Sequence, residues 1–185
     1  LCHKNPNRAA EITDEFASYL RWNINSVLSS EPLSVSEEIS HTKKYLDLEK
    51  ERFGDVLNVV WNISDDSFFI PPLVLQPLVE NAVRHGICQK EDGGTIWIDI
   101  YSDINDHHIV ITDNGEGFDT SDPGESKDKL HVGLSYAREQ VEGICGGKIA
   151  VESTPGRGTK VHISLPRENN TIFSLRHKNE KMDSN

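Results

Sequence analysis

The stretch from Leu75 to Gly86 constrains this chain more than any other, because it combines a helical apolar stripe with a cluster of chemically useful polar side chains. Asn81, Arg84 and His85 stand at positions i, i+3 and i+4, so the spacing predicts that they share one helix face. A proline pair precedes the helix, and Gly86 is expected to end it. The apolar positions recur with the helical period of 3.6 residues; they are Leu75, Leu78, Val79, Ala82 and Val83. The polar face is a candidate site, although a capped amphipathic helix with a solvated outer face would show the same pattern.

Composition and charge exclude several classes of protein. The 185 residues allow one ordinary domain, or one domain with a helical appendage. A net charge of −11 argues against binding to nucleic acid or to an anionic membrane surface. A nucleotide could still bind where cations are gathered locally or supplied by a metal.

The cysteines and the apolar runs bear on the cellular setting. Cys2, Cys88 and Cys145 are odd in number and form no C-x-x-C motif, which indicates reduced thiols in a cytoplasmic protein. No signal peptide is present, and no apolar run approaches the ~20 residues that span a bilayer. Because the chain begins with Leu1, we expect a fragment of a longer protein. The sequence does not exclude a membrane segment upstream of it.

Two helices are predicted in the first 54 residues. Asn5 and Pro6 have the pattern of an N-cap followed by proline at the first helical position. Ser34 and Glu37 have the spacing of a capping box, which opens a second helix expected to end at Gly54. The connection between them is short, so we expect an antiparallel helical hairpin.

From residue 55 onward the apolar period changes to one typical of strands mixed with helices. Strands are expected over 56–63, 96–101, 109–111, 148–153 and 159–165, and a further helix over 134–144. Strand pairs that are adjacent in sequence predict a mixed, mainly antiparallel sheet with helices on one face, an α+β two-layer sandwich. We therefore expect a helical region over 1–54, a main domain over 55–166 and a polar, disordered tail over 167–185.

Two glycine-bearing motifs follow the helix that carries Asn81. Asp113 ends a predicted strand, and Gly115 and Gly117 after it would let a flat ligand approach the backbone. Gly158 and Thr159 stand at the tip of a predicted hairpin. Each motif alone indicates no more than a tight turn. Their order and spacing along the chain are what indicate a site.

As a set, the motifs resemble the ATP-binding domain shared by sensor histidine kinases, DNA gyrase and MutL, whose architecture is known as the Bergerat fold. The Asn81 helix is similar to the N box, and Asp113–Gly117 to the first glycine box. Residues 131–134 resemble the second glycine box, and Gly156–Thr159 the closing Gly-Thr element. The amino-acid sequence of residues 75–86 is similar to that of LytS-type bacterial sensor kinases. The family resemblance as a whole covers about residue 6 to residue 166.

This resemblance implies roles on the phosphate side of the site. Asn81 would ligate the Mg²⁺ that bridges the ATP phosphates, and Arg84 and His85 would face those phosphates. A lid near Gly133 and Leu134 would close over the nucleotide. From charge and location alone, Lys127 or Lys129 could reach a phosphate from that lid.

On the base side, the resemblance implies that Asp113 accepts a hydrogen bond from the adenine amino group. Gly115 and Gly117 would line the base, and Thr159 would complete the pocket through a water.

The sequence departs from the family pattern at three points. His131 replaces the first glycine of the second box, which puts ATP affinity in question because a positive φ there would cost His some energy. Tyr136 stands where the family has Asn. The phosphoacceptor segment, Pro-His-Phe in these kinases, is absent, and the two histidines of the helical region, His3 and His41, lack its context. The acceptor histidine is therefore expected upstream of Leu1.

One position separates kinase from hydrolase. The hydrolases of this superfamily carry a water-activating glutamate one turn before the N-box asparagine, and here that position is Pro77. Glu80 lies about 100° away around the helix and could instead orient Arg84 or the incoming histidine. The sequence thus favours a histidine kinase over a nucleotide-binding regulatory module that has lost efficient catalysis, and both over a hydrolytic ATPase.

By the same resemblance, the expected partners are ATP, a response regulator of the LytTR type and, in the full-length protein, a second copy of the chain. Nucleic acid is not expected as a partner. The chain would be the cytoplasmic part of a membrane sensor, and without its acceptor histidine it would be inactive in isolation.

Overall fold

The computed structural model describes residues 6–28, 31–90, 92–120 and 133–168. Helix α1 (Pro6–Leu28) and helix α2 (Val35–Phe53) form the predicted hairpin, joined to the domain by one packed core. The capping box of α2 is present: the Ser34 hydroxyl accepts a hydrogen bond from the backbone of the first turn, and Glu37 binds the Ser34 N–H. Gly54 ends the helix at φ 60°, as predicted.

The main sheet has five strands in the order β2-β4-β5-β7-β6. Its strands are β2 (Leu57–Ile63), β4 (Gly94–Ser102), β5 (Asp106–Asp113), β6 (Lys148–Thr154) and β7 (Gly158–Pro166). Strands β2 and β4 pair in parallel because a helical crossover joins them, and the other neighbours are antiparallel. Short strands β1 (Leu33–Ser34) and β3 (Phe69–Ile70) pair separately and tie the hairpin to the domain.

The core lies between one face of the sheet and the helices. On β4, Ile96, Ile98 and Ile100 are fully buried and alternate with Trp97, Asp99 and Tyr101 on the opposite face, as a strand with one covered side requires. The architecture confirms the predicted α+β two-layer sandwich with a mixed sheet. No helix in the described part of the chain is both long and apolar enough to cross a membrane.

The sequence predicted that the helix carrying Asn81 ends at Gly86. The structure shows that it continues beyond this residue. Helix α3 (Leu75–Asn81) continues through a wider π-helical turn, Ala82–Gly86, and a 3₁₀ turn, Ile87–Gln89. Gly86 has helical φ of −90°, and a Cβ there would stand 2.7 Å from Asp113 Oδ1. Glycine is therefore required at this position for close packing and not as a helix stop.

Helix α4 covers residues 133–145, and its second half, Glu139–Ile144, is also π-helical. Ala137, Val141 and Cys145 of α4 are buried against the sheet. Gly146 follows at φ 61°, the conformation in which a glycine commonly ends a helix.

Candidate functional site

A cavity that is partly open to solvent lies between α3 and the ends of strands β5 and β7. Its walls are mostly apolar, and a few polar groups converge on it, which is the usual composition of a small-molecule site. The lining residues are Leu78, Asn81, Ala82, His85, Gly86, Ile111, Asp113, Gly117, Phe118, Thr159 and Val161.

Asp113 places its carboxylate in this cavity from the last position of β5. The side chain is 5% exposed, and its Oδ1 accepts the backbone N–H of Gly115 at 2.8 Å. Burial raises the pKa of Asp113, while N–H groups of Gly115 and Thr159 and the charge of Lys90 act in the opposite direction. The group is thus a fixed, largely dehydrated acceptor, suited to a polar edge of a flat ligand.

The two glycine motifs are packed backbone against backbone around Asp113. A Cβ on Gly115 would lie 2.2 Å from the Cα of Gly86, and one on Gly158 would lie 1.9 Å from the Asp113 carbonyl oxygen. Gly158 also has φ of 93°, in the region that side chains disfavour. Three segments that are distant in sequence can meet here only because these positions lack side chains.

Asn81 stands at the other end of the cavity, with its Nδ2 atom buried and without a hydrogen-bond partner among the described residues. His85, one turn further along, lines the same cavity. A Cβ on Gly133 would lie 3.2 Å from Asn81 Nδ2 and 3.0 Å from Pro77 Cβ, so the start of α4 lies beside Asn81. A buried amide without a partner is costly in a folded protein, and a bound ligand can satisfy it.

Arg84 does not share this face, contrary to the face predicted from helical spacing. It lines a separate groove between α3 and the hairpin together with Glu80. The π turn over Ala82–Gly86 explains the difference, because i→i+5 winding advances fewer degrees per residue than an α-helix. That winding carries Arg84 away from Asn81 and leaves His85 on the cavity side.

Glu80 also faces the hairpin and not the cavity. Its Oε1 accepts the Tyr19 hydroxyl at 2.7 Å and the Gln76 Nε2–H at 2.6 Å, so the expected orientation of Arg84 by Glu80 is replaced by these contacts. Gln76 Oε1 lies 3.0 Å from His41 Nδ1. Burial, followed by the contact with Glu80, raises the pKa of Tyr19.

Tyr19, His41 and Gln76 were not identified from the sequence. One local pattern could have indicated them: Gln76 and Glu80 form a polar pair at i and i+4 on an otherwise apolar helix. The partners on the hairpin are too distant in sequence for any periodicity to reveal them.

The remaining predicted residues are distributed as follows. Thr159 lines the cavity, and its hydroxyl lies 2.9 Å from that of Ser153. Gly133 and Leu134 begin α4, with Leu134 half-buried against the core. Lys127, Lys129 and His131 lie outside the described residues.

Comparison with known proteins identifies the family. Residues 71–169 match the family described as histidine kinase-, DNA gyrase B-, and HSP90-like ATPase, and residues 1–57 match the histidine kinase family. Among solved structures, the histidine kinase domain of the Erythrobacter litoralis EL346 blue-light activated histidine kinase superposes with a TM-score of 0.57 at 17% identity. That superposition covers 73% of this chain and 64% of the other, and it supports the fold.

Curated relatives align over nearly the whole chain. Bacillus subtilis YwpD is 37% identical over 89% of this chain and 61% of its own length. Escherichia coli sensor histidine kinase YpdA is 35% identical over 92% of this chain, and Bacillus subtilis sensor protein LytS 27% identical over 91%. The chain spans only 31% of YpdA and 30% of LytS. It therefore belongs to the histidine kinase-, DNA gyrase B-, and HSP90-like ATPase family.

Proposed function

We propose that this chain binds Mg-ATP and transfers the γ-phosphoryl group to a histidine upstream of Leu1, from which it passes to an aspartate of a response regulator. The observation that carries the proposal is the cavity itself. It is lined both by a buried carboxylate, that of Asp113, and by Asn81, whose buried Nδ2 atom has no hydrogen-bond partner among the described residues.

The Asp113 end suits an adenine ring. Among the described residues that line the cavity, Asp113 is the one carboxylate, and apolar side chains surround it, including Leu78, Ile111 and Val161. A planar base would stack between such walls while its amino group donates to Asp113. Gly117 and Thr159 complete the lining on the β7 side.

The Asn81 end suits the metal-bound phosphates. No group of three His, Cys, Asp or Glu side chains in the described part of the chain could hold a metal by itself. A Mg²⁺ ion that takes one amide oxygen, phosphate oxygens and water needs no such group, and Mg²⁺ commonly binds in this way. Asn81 would supply that oxygen, while its buried Nδ2–H group, which lacks a partner among the described residues, would donate to a phosphate oxygen. Bound Mg²⁺ would neutralise phosphate charge.

Phosphoryl transfer is favoured over hydrolysis by the side chains that precede Asn81. Pro77 occupies the position of the water-activating glutamate and has no proton to exchange. Glu80 is held by Tyr19 and Gln76 on the hairpin side. Transfer to a protein histidine relies on positioning and charge neutralisation more than on a strong base.

The wider assignments come from the relatives, among which are named sensor histidine kinases. We infer a LytTR-type response regulator as partner, a homodimer in the full-length protein and a cytoplasmic position beside a membrane sensor. The isolated chain would bind nucleotide without phosphorylating itself, because its acceptor histidine lies outside it. The net charge of −11 argues against a nucleic-acid partner.

Nucleotide titration with and without Mg²⁺ tests the proposal. The wild-type chain should bind ATP more tightly with Mg²⁺, and Asn81→Ala should weaken Mg-ATP binding by about tenfold or more, equivalent to ~1.4 kcal/mol, with little effect on metal-free ATP. Asn58→Ala, at an exposed position of β2, is the matched control. Absence of ATP binding at millimolar concentration would overturn the proposed function. Normal Mg-ATP binding by Asn81→Ala would show that Asn81 is structural.

A further inference from the structure

Glu38 of α2 is a fully buried carboxylate that points away from its own helix into the start of α3. Its side chain is 0% exposed. Oε1 accepts the backbone N–H of Leu73 at 2.7 Å, and Oε2 accepts that of Leu75 at 3.2 Å. The backbone N–H groups of Val74 and Gln76 add to the lowering effect on its pKa. One side chain of the hairpin thus binds two backbone N–H groups of the segment that opens the Asn81 helix.

That segment lacks a cap of its own. Val74 is the N-cap residue of α3 and offers no side-chain hydrogen bond. Leu73 has φ of 59°, and within the described residues it is the one non-glycine residue with positive φ. Such a conformation is strained and persists only where the surroundings impose it. Here the Glu38 carboxylate binds the N–H of Leu73 itself.

The same carboxylate acts on helix α4, on the opposite side of the cavity entrance. The pKa of Tyr136 is raised, first by burial and then by the charge of Glu38. Tyr136 lies one turn after Gly133, which lies beside Asn81 and Pro77. Glu38 therefore joins the hairpin to the start of α3, and its charge extends to Tyr136 of α4.

We propose that Glu38 is a positioning residue of the nucleotide site, which fixes the turn at Leu73–Gln76 and thereby links the position of the hairpin to Mg-ATP affinity. The inference rests on the proposed function. Hairpin movement would be transmitted through Glu38 to α3, and Asn81 lies at the end of that short helix. Linkage of this kind is reciprocal, so bound nucleotide would also hold the hairpin in place.

Glu38 gives the linkage a pH dependence. Burial raises its pKa to about 7, although four N–H groups oppose the shift. The pKa in the unfolded chain is near 4.3, so the stability that Glu38 contributes is full below that pH and is lost as the pH rises through about 7. At a pH above about 7, the ionised Glu38 carboxylate is therefore retained at a cost in unfolding free energy. Its titratable neighbours are His41 one turn along α2 and, on α4, Tyr136 with Glu139 beside it.

Glu38→Gln tests the inference, because glutamine has the same shape but one acceptor oxygen in place of two. At pH 8 we expect Mg-ATP affinity to fall by about fivefold or more, the lower range of coupling between sites. The ratio of the variant and wild-type dissociation constants should shrink toward one as the pH falls to 6, where wild-type Glu38 becomes protonated. Titration of ATP itself is common to both proteins and cancels in that ratio. The unfolding free energy of the variant should also vary less between pH 5 and 8.

Asp47→Asn, an exposed carboxylate-to-amide change on the same helix, should change none of these quantities. If Glu38→Gln does not fold, Glu38→Asp is the second variant, because it keeps the carboxylate on a side chain one methylene shorter. It should lower Mg-ATP affinity and keep the pH dependence of the wild type. Equal affinities of wild type and the folded Glu38 variant across this pH range would overturn the inference and leave the proposed function intact. Absence of Mg-ATP binding by the wild type would overturn both.

Discussion

At the scale of single residues, the site depends on positions where no side chain is tolerated. Gly115 and Gly86 belong to segments almost thirty positions apart, and they touch through their backbones beside the Asp113 carboxylate. The N–H of Glu116 also donates to the Gly86 carbonyl oxygen at 3.4 Å. The loop after β5 is thereby held against α3, which sets the width of the cavity between Asp113 and Asn81.

Gly115→Ala should therefore disturb both stability and nucleotide binding. The new Cβ would lie 2.2 Å from the Gly86 Cα, and no side-chain rotation relieves a clash with backbone. We expect a loss of unfolding free energy of about 1–3 kcal/mol, typical of overpacking in a tight interior, together with weaker ATP binding.

Gly143→Ala is the matched control for that substitution. Gly143 lies in α4 with nothing within 4 Å of its Cβ position, so alanine should be neutral or stabilise by up to ~1 kcal/mol. Urea unfolding of both variants provides the measurement. A Gly115→Ala protein as stable as Gly143→Ala would show that the loop can move away freely and that Gly115 does not set the cavity width.

Several residues that line the cavity could be predicted from the sequence, because strand ends and glycine motifs produce recognisable local patterns. Asp113, Gly117 and Thr159 were predicted by type and spacing, and they line one cavity with Asn81. Arg84 was assigned to the wrong face because spacing arguments assume 3.6 residues per turn, and the π turn violates that assumption. Nothing in a single sequence distinguishes a π turn from an α turn at this position.

At the scale of elements, the hairpin is attached to α3 by a buried polar network. The Tyr19 hydroxyl lies between Glu80 Oε1 at 2.7 Å and Gln76 Nε2 at 2.5 Å, and the Tyr19 ring stacks on His41 with a centroid separation of 5.3 Å. Trp22 stacks on the other side of the same imidazole at 3.7 Å. Burial lowers the pKa of His41, so the neutral ring is the favoured form in this stack.

Tyr19→Phe should loosen that attachment while leaving the apolar packing in place. The lost hydroxyl leaves Glu80 and Gln76 each one partner short, and we expect a cost of about 1–3 kcal/mol in unfolding free energy. A double-mutant cycle with Glu80→Gln should show coupling of at least ~0.5 kcal/mol, because the two residues share a hydrogen bond.

Tyr101→Phe, on the exposed face of β4, is the control for removing a hydroxyl and should change stability by less than ~0.5 kcal/mol. Additive effects of Tyr19→Phe and Glu80→Gln would contradict a stabilising contact between them.

The hairpin network shows why long-range contacts escape sequence analysis. Tyr19 and Glu80 are 61 positions apart, and Glu38 and Leu73 are 35 apart. Helical periodicity located α1, α2 and α3 and placed the apolar faces of α2 and α3, because those depend on local spacing. The pairing of polar residues across elements depends on how the elements pack, which no local pattern encodes.

At the scale of the whole molecule, one hydrophobic core crosses the boundary expected at residues 54 and 55. Val35, Ile39 and Leu46 of α2 belong to the same buried cluster as the inward-facing residues of β4 and β5. On α1, Tyr19 is the one apolar side chain, among those described, that is buried to this degree, while Phe16 and Ile24 are 49% and 61% exposed. Helix α2 therefore packs as part of the main domain, and α1 is more loosely attached.

Two truncations should separate these contributions. A chain that begins at Glu31 keeps α2, its cap and the Glu38 contacts, so we expect it to unfold in a single transition with moderately reduced stability. A chain that begins at Asp55 loses four more buried apolar side chains than the chain that begins at Glu31; they are Val35, Ile39, Tyr45 and Leu46. At ~1.5–3 kcal/mol each, their loss amounts to about 6–12 kcal/mol, which is comparable to the whole stability of a typical domain.

The shorter chain should accordingly lose its cooperative urea transition. It should also bind a hydrophobic dye through the apolar face of α3 that α2 no longer covers, as loosely packed states do. Circular dichroism and dye fluorescence of both truncations, measured beside the 185-residue chain at one pH, provide the comparison. The contrary result is a chain beginning at Asp55 that unfolds cooperatively, with a stability close to that of the chain that begins at Glu31. That result would place the domain boundary at residue 54. It would also show that neither α2 nor Glu38 is needed to hold α3 on the sheet.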